Sequence, residues 1–216
     1  MSVMGVWVVG AVPDDEARAL ARHAARRGTG DEDLPPVHAQ ALAWWSGGGD
    51  AERFFDGTAD GSGGASPTPA ALRFAELVHC NTAPDDEPAL TLQDELMELM
   101  PTTGGDGPFA AVARKASPVA ALLHGLGAEA SALLPGRFGE FLLSHDEVVA
   151  ALPRVVRALD VSGARRDEVL SRVAGWMRGM GDAPEFDGAE LLDAPVRVLR
   201  HAARSGLGAA AFSRWY

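Results

Sequence analysis

An α+β fold, predominantly helical with a small sheet that includes both the N- and the C-terminal strands, is what this 216-residue sequence predicts. Three observations lead to it. The chain opens on MGVWVVGAV, residues 4–12, a continuous β-branched and aromatic run suited to a buried strand. It closes on LGAAAFSRWY, residues 207–216, a second strand-like run able to pair with the first. Between them, apolar residues recur at helical spacing behind Ser-Pro and Thr-Pro pairs of the kind that start helices.

Pro13 stops the first strand, and DDEARALARHAARRG follows with acids in its first turn, arginines in its last and Gly28 behind it. That order of charges complements a helix dipole. A second helix is expected over Pro36–Ser46, with Val37, Ala41, Leu42 and Trp45 on one stripe, ended by SGGGD. Residues 56–69, DGTADGSGGASPTP, read as a flexible surface loop. Thr68 and Pro69 then start a helix, Thr91 is expected to cap the next, and Ser117-Pro118 open a third that Gly125 and Gly127 end. The result is a run of short helices over residues 68–134.

The segment GRFGEFLLSHDEVVAALPRVVRAL, residues 136–159, combines several signals. Phe138, Phe141, Leu142 and Leu143 suggest a short strand or extended lead-in, and Ser144 to Glu147 form a capping box. Val148, Leu152, Val155, Val156 and Leu159 give the helix its buried face, and Pro153 inside that pattern predicts a kink or break. Further on, Val169, Val173, Trp176 and Met177 share one side of a helix. The last helix is expected to restart at Pro195 and to end at Gly206. A single α+β domain over residues 1–216 is preferred to a division near 56–69 or 101–107.

A 47% hydrophobic and 23% charged composition is that of a folded globular protein. One cysteine excludes an internal disulfide, and the opening residues lack the basic start of a signal peptide, so a cytoplasmic location is expected. The longest apolar runs are interrupted by Arg114, Lys115 and Pro118, and no membrane span is predicted. The net charge of -11 comes wholly from residues 1–100, which carry 17 acids and 6 basic residues, whereas the remainder carries 13 of each. Such a surface repels phosphate backbones, so a cationic protein is a better partner than a nucleic acid.

No pattern in the chain carries a complete catalytic or cofactor signature. His79-Cys80 is the one His-Cys pair, but adjacent helix positions diverge by about 100°, and Asp85, Asp86 and Glu87 would raise a thiol pKa rather than lower it. A structural thiol at a helix end fits better. Asp56, Thr58, Asp60 and Gly61 begin a calcium-loop pattern, but its twelfth position is Pro67 instead of glutamate. The six histidines show no metal-ligand spacing, and no phosphate-binding loop or dinucleotide fingerprint is present. No cofactor and no metal are therefore predicted. Trp44-Trp45 stands out beside a glycine loop, with one ring free to be core and the other to face outward.

Two functional expectations follow. The first is an acidic protein that works by binding a protein partner, immunity-type or regulatory in character. The second is a small-molecule enzyme or ligand-binding protein whose pocket collects dispersed polar groups. The residues singled out for binding are Trp44, Trp45, His79, Cys80, His124 and His145; none is assigned a catalytic role. Nothing in the sequence fixes the oligomeric state.

Three stretches, MGVWVVGAVPDDEARAL, FGEFLLSHDEVVAALPRVVRAL and VRVLRHAARSGLGAAAF, together resemble the uncharacterised bacterial YfbM-like family. KASPVAALLHGLG is similar in position to that family's Lys-Trp-Leu-rich stretch, without its tryptophan. The resemblance implies an α+β domain and assigns no activity or site residue.

Overall fold

The computed structural model describes residues 4–26, 36–57, 65–82, 87–101, 107–183 and 186–216. Its elements run β1 (Gly5–Val12), α1 (Asp14–Arg26), α2 (Pro36–Ser46), a 3-10 turn at Gly49–Ala51, β2 (Phe55–Asp56), β3 (Ser66–Pro67), α3 (Pro69–Thr82) and α4 (Glu87–Leu99). They continue with β4 (Phe109–Ala113), α5 (Pro118–Leu126), α6 (Ala128–Ser131), β5 (Phe141–Leu143), α7 (His145–Leu159), α8 (Gly163–Gly179), α9 (Glu190–Ser205) and β6 (Gly208–Trp215). This is the predicted α+β fold, and the terminal strands pair as expected. Gly5 lies opposite Trp215 and Val12 opposite Gly208 in an antiparallel ladder at the centre of a sheet ordered β4-β1-β6-β5.

Because successive strand residues face opposite ways, this sheet has two different faces. Trp7, Val9, Ala11, Ala209 and Ala211 point into the main core, which α3, α5, α7, α8 and α9 complete. Val8, Val12, Ala210 and Phe212 point into a smaller core closed by Ala17 of α1 and by Leu96 and Met100 at the end of α4. Every residue of α5 is buried, as befits a helix that is apolar all round. Ser117 caps it by accepting from the Ala120 amide at 3.2 Å. One carboxylate oxygen of Asp182 accepts from the amides of Arg114, Lys115 and Ala116 at 2.7–3.1 Å, fixing the turn between β4 and α5.

Four sequence expectations need correction. A strand, β4, interrupts the expected run of helices. Its residues alternate with Phe109, Ala111 and Ala113 buried and Ala110 exposed, but alanine's helix preference conceals that period. Thr91 lies inside α4 rather than before it, and its hydroxyl donates back to the Glu87 carbonyl at 2.9 Å. Pro153 does not break α7, which continues to Leu159. Pro153 and Val149, four residues earlier, both face solvent, where water can serve the carbonyl that proline leaves without a donor. Finally, α9 starts at Glu190 with Pro195 inside it, because Leu191 and Leu192 are fully buried and hold the first turn on the core.

The expected loop at 56–69 falls largely on residues 58–64, outside those described; its ends form the two-stranded β2–β3 ladder. Among the described residues, no helix is long and apolar enough to cross a membrane.

Candidate functional site

The segment joining α6 to β5 contains a two-residue hairpin turn. Arg137 and Glu140 exchange both backbone hydrogen bonds, at 3.1 and 2.9 Å. Phe138 and Gly139 between them have φ values of 49° and 80°, the left-handed pair of a type I′ turn. Gly139 suits its place twice over, since a Cβ there would also lie 2.6 Å from Val119. Phe138 does not: a bulky residue at positive φ costs on the order of 1–3 kcal/mol and persists only where its surroundings impose it. Two contacts do so. The Trp7 indole donates to the Gly139 carbonyl at 3.2 Å, and a carboxyl oxygen of Glu140 accepts from the Ser213 amide at 2.6 Å. That carboxyl group continues the β6 ladder past the end of the three-residue β5. Burial raises the Glu140 pKa to about 8, with the Ser213 hydrogen bonds opposing it.

The turn forms one wall of a cleft of about 700 Å3. Leu42 and Trp45 of α2 face it from across the opening, and Leu123 together with α6 supplies the remaining side. Trp45 is 4% exposed and stacks on Phe74 with ring centroids 4.1 Å apart, which makes the apolar wall rigid. Polar groups are few. Ser131 donates its hydroxyl to the Leu123 carbonyl at 3.2 Å. Arg137 lines the rim, and its guanidinium reaches the Asn81 side-chain oxygen at 3.4 Å. The arrangement is an aromatic and aliphatic cleft with one cation at its edge.

The six residues singled out in the sequence are divided between this region and others. Trp45 lines the cleft. Trp44 packs against Phe54, donates to Glu52 at 2.6 Å and carries the Arg73 guanidinium 5.1 Å above its ring. His124 is buried behind the cleft, 4.7 Å from Phe54 and 5.2 Å from Trp176 between ring centroids. Burial above all, and then the charge of Arg172, lower its pKa to about 4, so the ring is neutral at pH 7. These three therefore belong to one aromatic assembly. His79, Cys80 and His145 do not join it. The His79 ring meets Trp215 edge-on at 5.0 Å, and the Cys80 thiol donates to Glu76 at 3.2 Å near the end of α3. His145 starts α7, where its amide donates to Asp14 at 2.5 Å.

Neither a protein-family model, nor a curated protein, nor a solved structure matches the chain. The reading of the cleft therefore rests on its own chemistry. Among the described residues, no group of three or more His, Cys, Asp or Glu side chains is placed to share a metal ion. Arg137 and Phe138 were not among the sequence candidates as cleft residues. The available signal was the spacing Gly136-x-Phe138-Gly139, since an x-Gly pair between apolar stretches is a hairpin signature.

Proposed function

We propose that the protein works by binding, and that the cleft beside Trp45 takes a small ligand with an apolar body and one anionic group. The observation that supports this reading is Phe138, held at a strained φ over a cleft whose opposite wall is a stacked tryptophan. The volume lies within the roughly 300–1,000 Å3 usual for small-molecule sites, and the few polar groups at the rim suit orientation rather than bulk affinity. Arg137 is the residue to meet the anion. Fluorescence titration with anilinonaphthalene sulfonate, an aromatic anion of suitable size, tests the idea. Trp45→Ala and Phe138→Ser should each weaken binding about tenfold or more and Arg137→Gln about fivefold, losses of the size seen when anchors are truncated. Equal affinity across all three variants would sink the proposal.

A second reading, a cationic protein partner for an immunity-type or regulatory protein, draws on the outer surfaces of α1 and α4. Asp15, Glu16, Glu95 and Glu98 are exposed there, and Leu90 and Met97 lie among the α4 acids at 38% and 44% exposure. Asp14 is engaged internally, because its carboxylate accepts from His145 and pairs with Arg18 at 2.8 Å. Of the other acidic runs, residues 31–33, 85 and 86 lie outside those described. Capture from native lysate should return a salt-sensitive partner on the unaltered protein that is lost on a Glu95→Gln/Glu98→Gln variant. Identical recovery would count against this face. The single cysteine supports a reducing, cytoplasmic setting for either reading.

A further inference from the structure

A second cleft, of about 550 Å3, opens on the other side of α6, between α7 and α8. Three arginines line it. Arg165 and Arg172 stand seven residues apart on α8, two helical turns that place them on one face, and Arg157 comes from α7. Arg165 is fixed in place, with one nitrogen on Glu168 and another on the Leu126 carbonyl, both at 2.8 Å. Among the described residues, no carboxylate pairs with Arg157 or Arg172.

The arginine-lined depression on α9 differs in just this respect. There Arg200 pairs with Asp160 at 2.8 Å, Arg197 with Glu190 at 3.0 Å, and Asp193 is taken by Arg166 at 2.6 Å. Two of its three arginines are matched from within the protein, and only Arg204 has no carboxylate partner among the described residues. In the α7–α8 cleft the opposing acids are Asp50 and Glu129. One oxygen of Asp50 accepts from the Ala128 amide at 3.0 Å, and Glu129 is exposed. The charge of Arg172 is felt by neighbouring His124, whose protonation it opposes.

From these observations we propose that the cleft between α6, α7 and α8 binds a small phosphate-bearing anion, held by Arg157 and Arg172 with Arg165 at the rim. Planar guanidinium groups suit such a ligand, because they can offer paired N–H donors to phosphate oxygens. In a chain of net charge -11, a concave site whose three arginines outnumber its two acids, with Arg157 and Arg172 unpaired with any carboxylate among the described residues, favours an anion that the rest of the surface repels. The site is separate from the cleft lined by Trp45 and does not depend on that reading.

Isothermal titration of the full chain with inorganic phosphate, and in parallel with glycerol phosphate, tests the inference at low ionic strength. Saturable binding to one site is expected. Arg157→Gln and Arg172→Gln should each weaken it about tenfold or more, the loss of one charge-assisted hydrogen bond. Arg204→Gln in the α9 depression and Phe138→Ser in the other cleft should leave it unchanged. Tighter binding of the ester would identify a phosphorylated small molecule as the ligand class, and equal binding would identify the free ion. Absence of saturable heat for both anions, or equal weakening by Arg204→Gln, would overturn the proposal. Arg157 is exposed, so its variant should keep the parent melting temperature; a failure of Arg172→Gln to fold would leave the Arg157 comparison decisive.

Discussion

The two faces of the central sheet are covered in contrasting ways. On the main face, Trp45, Phe54, Phe74, His124 and Trp176 form a connected aromatic assembly, with Phe74 and Trp176 meeting edge-on at 5.4 Å. On the other face, α1 and α4 close a thin layer, aliphatic but for Phe212, in which Met100 sits so close to Gly10 that a Cβ there would lie 2.3 Å from its sulfur. The thick face has enough packed apolar mass to tolerate a strained turn, buried polar groups and a cleft at its margin. The thin face spends its surface on exposed acids instead. Local strain is thus found where surrounding packing is deep enough to impose it.

Mutations on the two faces should differ accordingly. Trp176→Ala should have the largest effect, a loss of about 4 kcal/mol of unfolding free energy by denaturant titration, because the indole is 1% exposed and in contact with four other rings. Leu96→Ala on the thin face should cost about 3 kcal/mol or less, since fewer layers surround the cavity it leaves. A larger loss from Leu96 than from Trp176 would break the comparison. Asp182→Ala should cost roughly 2–3 kcal/mol, because three backbone amides lose a charged acceptor. Because that side chain serves backbone rather than core, Asp182→Asn should recover part of the loss.

Two titrating groups sharpen the contrast further, His124 within the aromatic assembly and Glu140 at the β5 edge of the sheet. Glu140 keeps its proton in the folded state up to about pH 8 and loses it near the ordinary carboxyl value when unfolded. The unfolded chain therefore binds fewer protons across that interval, and stability falls as pH rises towards 8. His124 acts in the opposite sense. Its pKa of about 4 lies below the ordinary imidazole value, so the unfolded chain binds the extra proton and stability falls as pH drops from about 6.5 towards 4. Melting temperature should accordingly decline by several degrees between pH 6.5 and 8, and Glu140→Gln should flatten that decline. An equal decline in the variant would assign it to another group. The smallest effect is expected at the turn. Phe138→Gly relieves positive-φ strain while removing a partly buried ring, so stability should change by no more than about 1 kcal/mol, and ligand affinity should fall much more.

Much of this contrast is legible in single residues. The Ser117-Pro118 and Ser144-Glu147 caps, the buried stripe of Val169, Val173, Trp176 and Met177, and the Gly206 stop are local signals, and each stands where the sequence places it, although α7 runs on through Pro153 and α9 begins before Pro195. Where the sequence misleads, a longer-range effect has overridden a local one. Burial of Leu191 and Leu192 carries α9 past Pro195, and β1 recruits an alanine-rich segment into β4. Trp45 could be singled out because tandem tryptophans are conspicuous. The turn at Arg137 and Phe138 had a local signal in its x-Gly pair, but the cleft roles of these residues and of Arg172 did not, because they depend on helices distant in sequence.

The sequence by itself determined the α+β class, the strand character of its two ends and the acidity of its first half, because composition, period and capping act within a few residues. Tertiary structure alone decided that Trp45 would face Phe138 across a cleft, that Glu140 would be buried against Ser213, and that arginines from two helices would line one concavity. Those outcomes depend on how helices pack against the two sheet faces. Packing is set by the complementary shapes of many side chains together, and no local stretch of the chain encodes it.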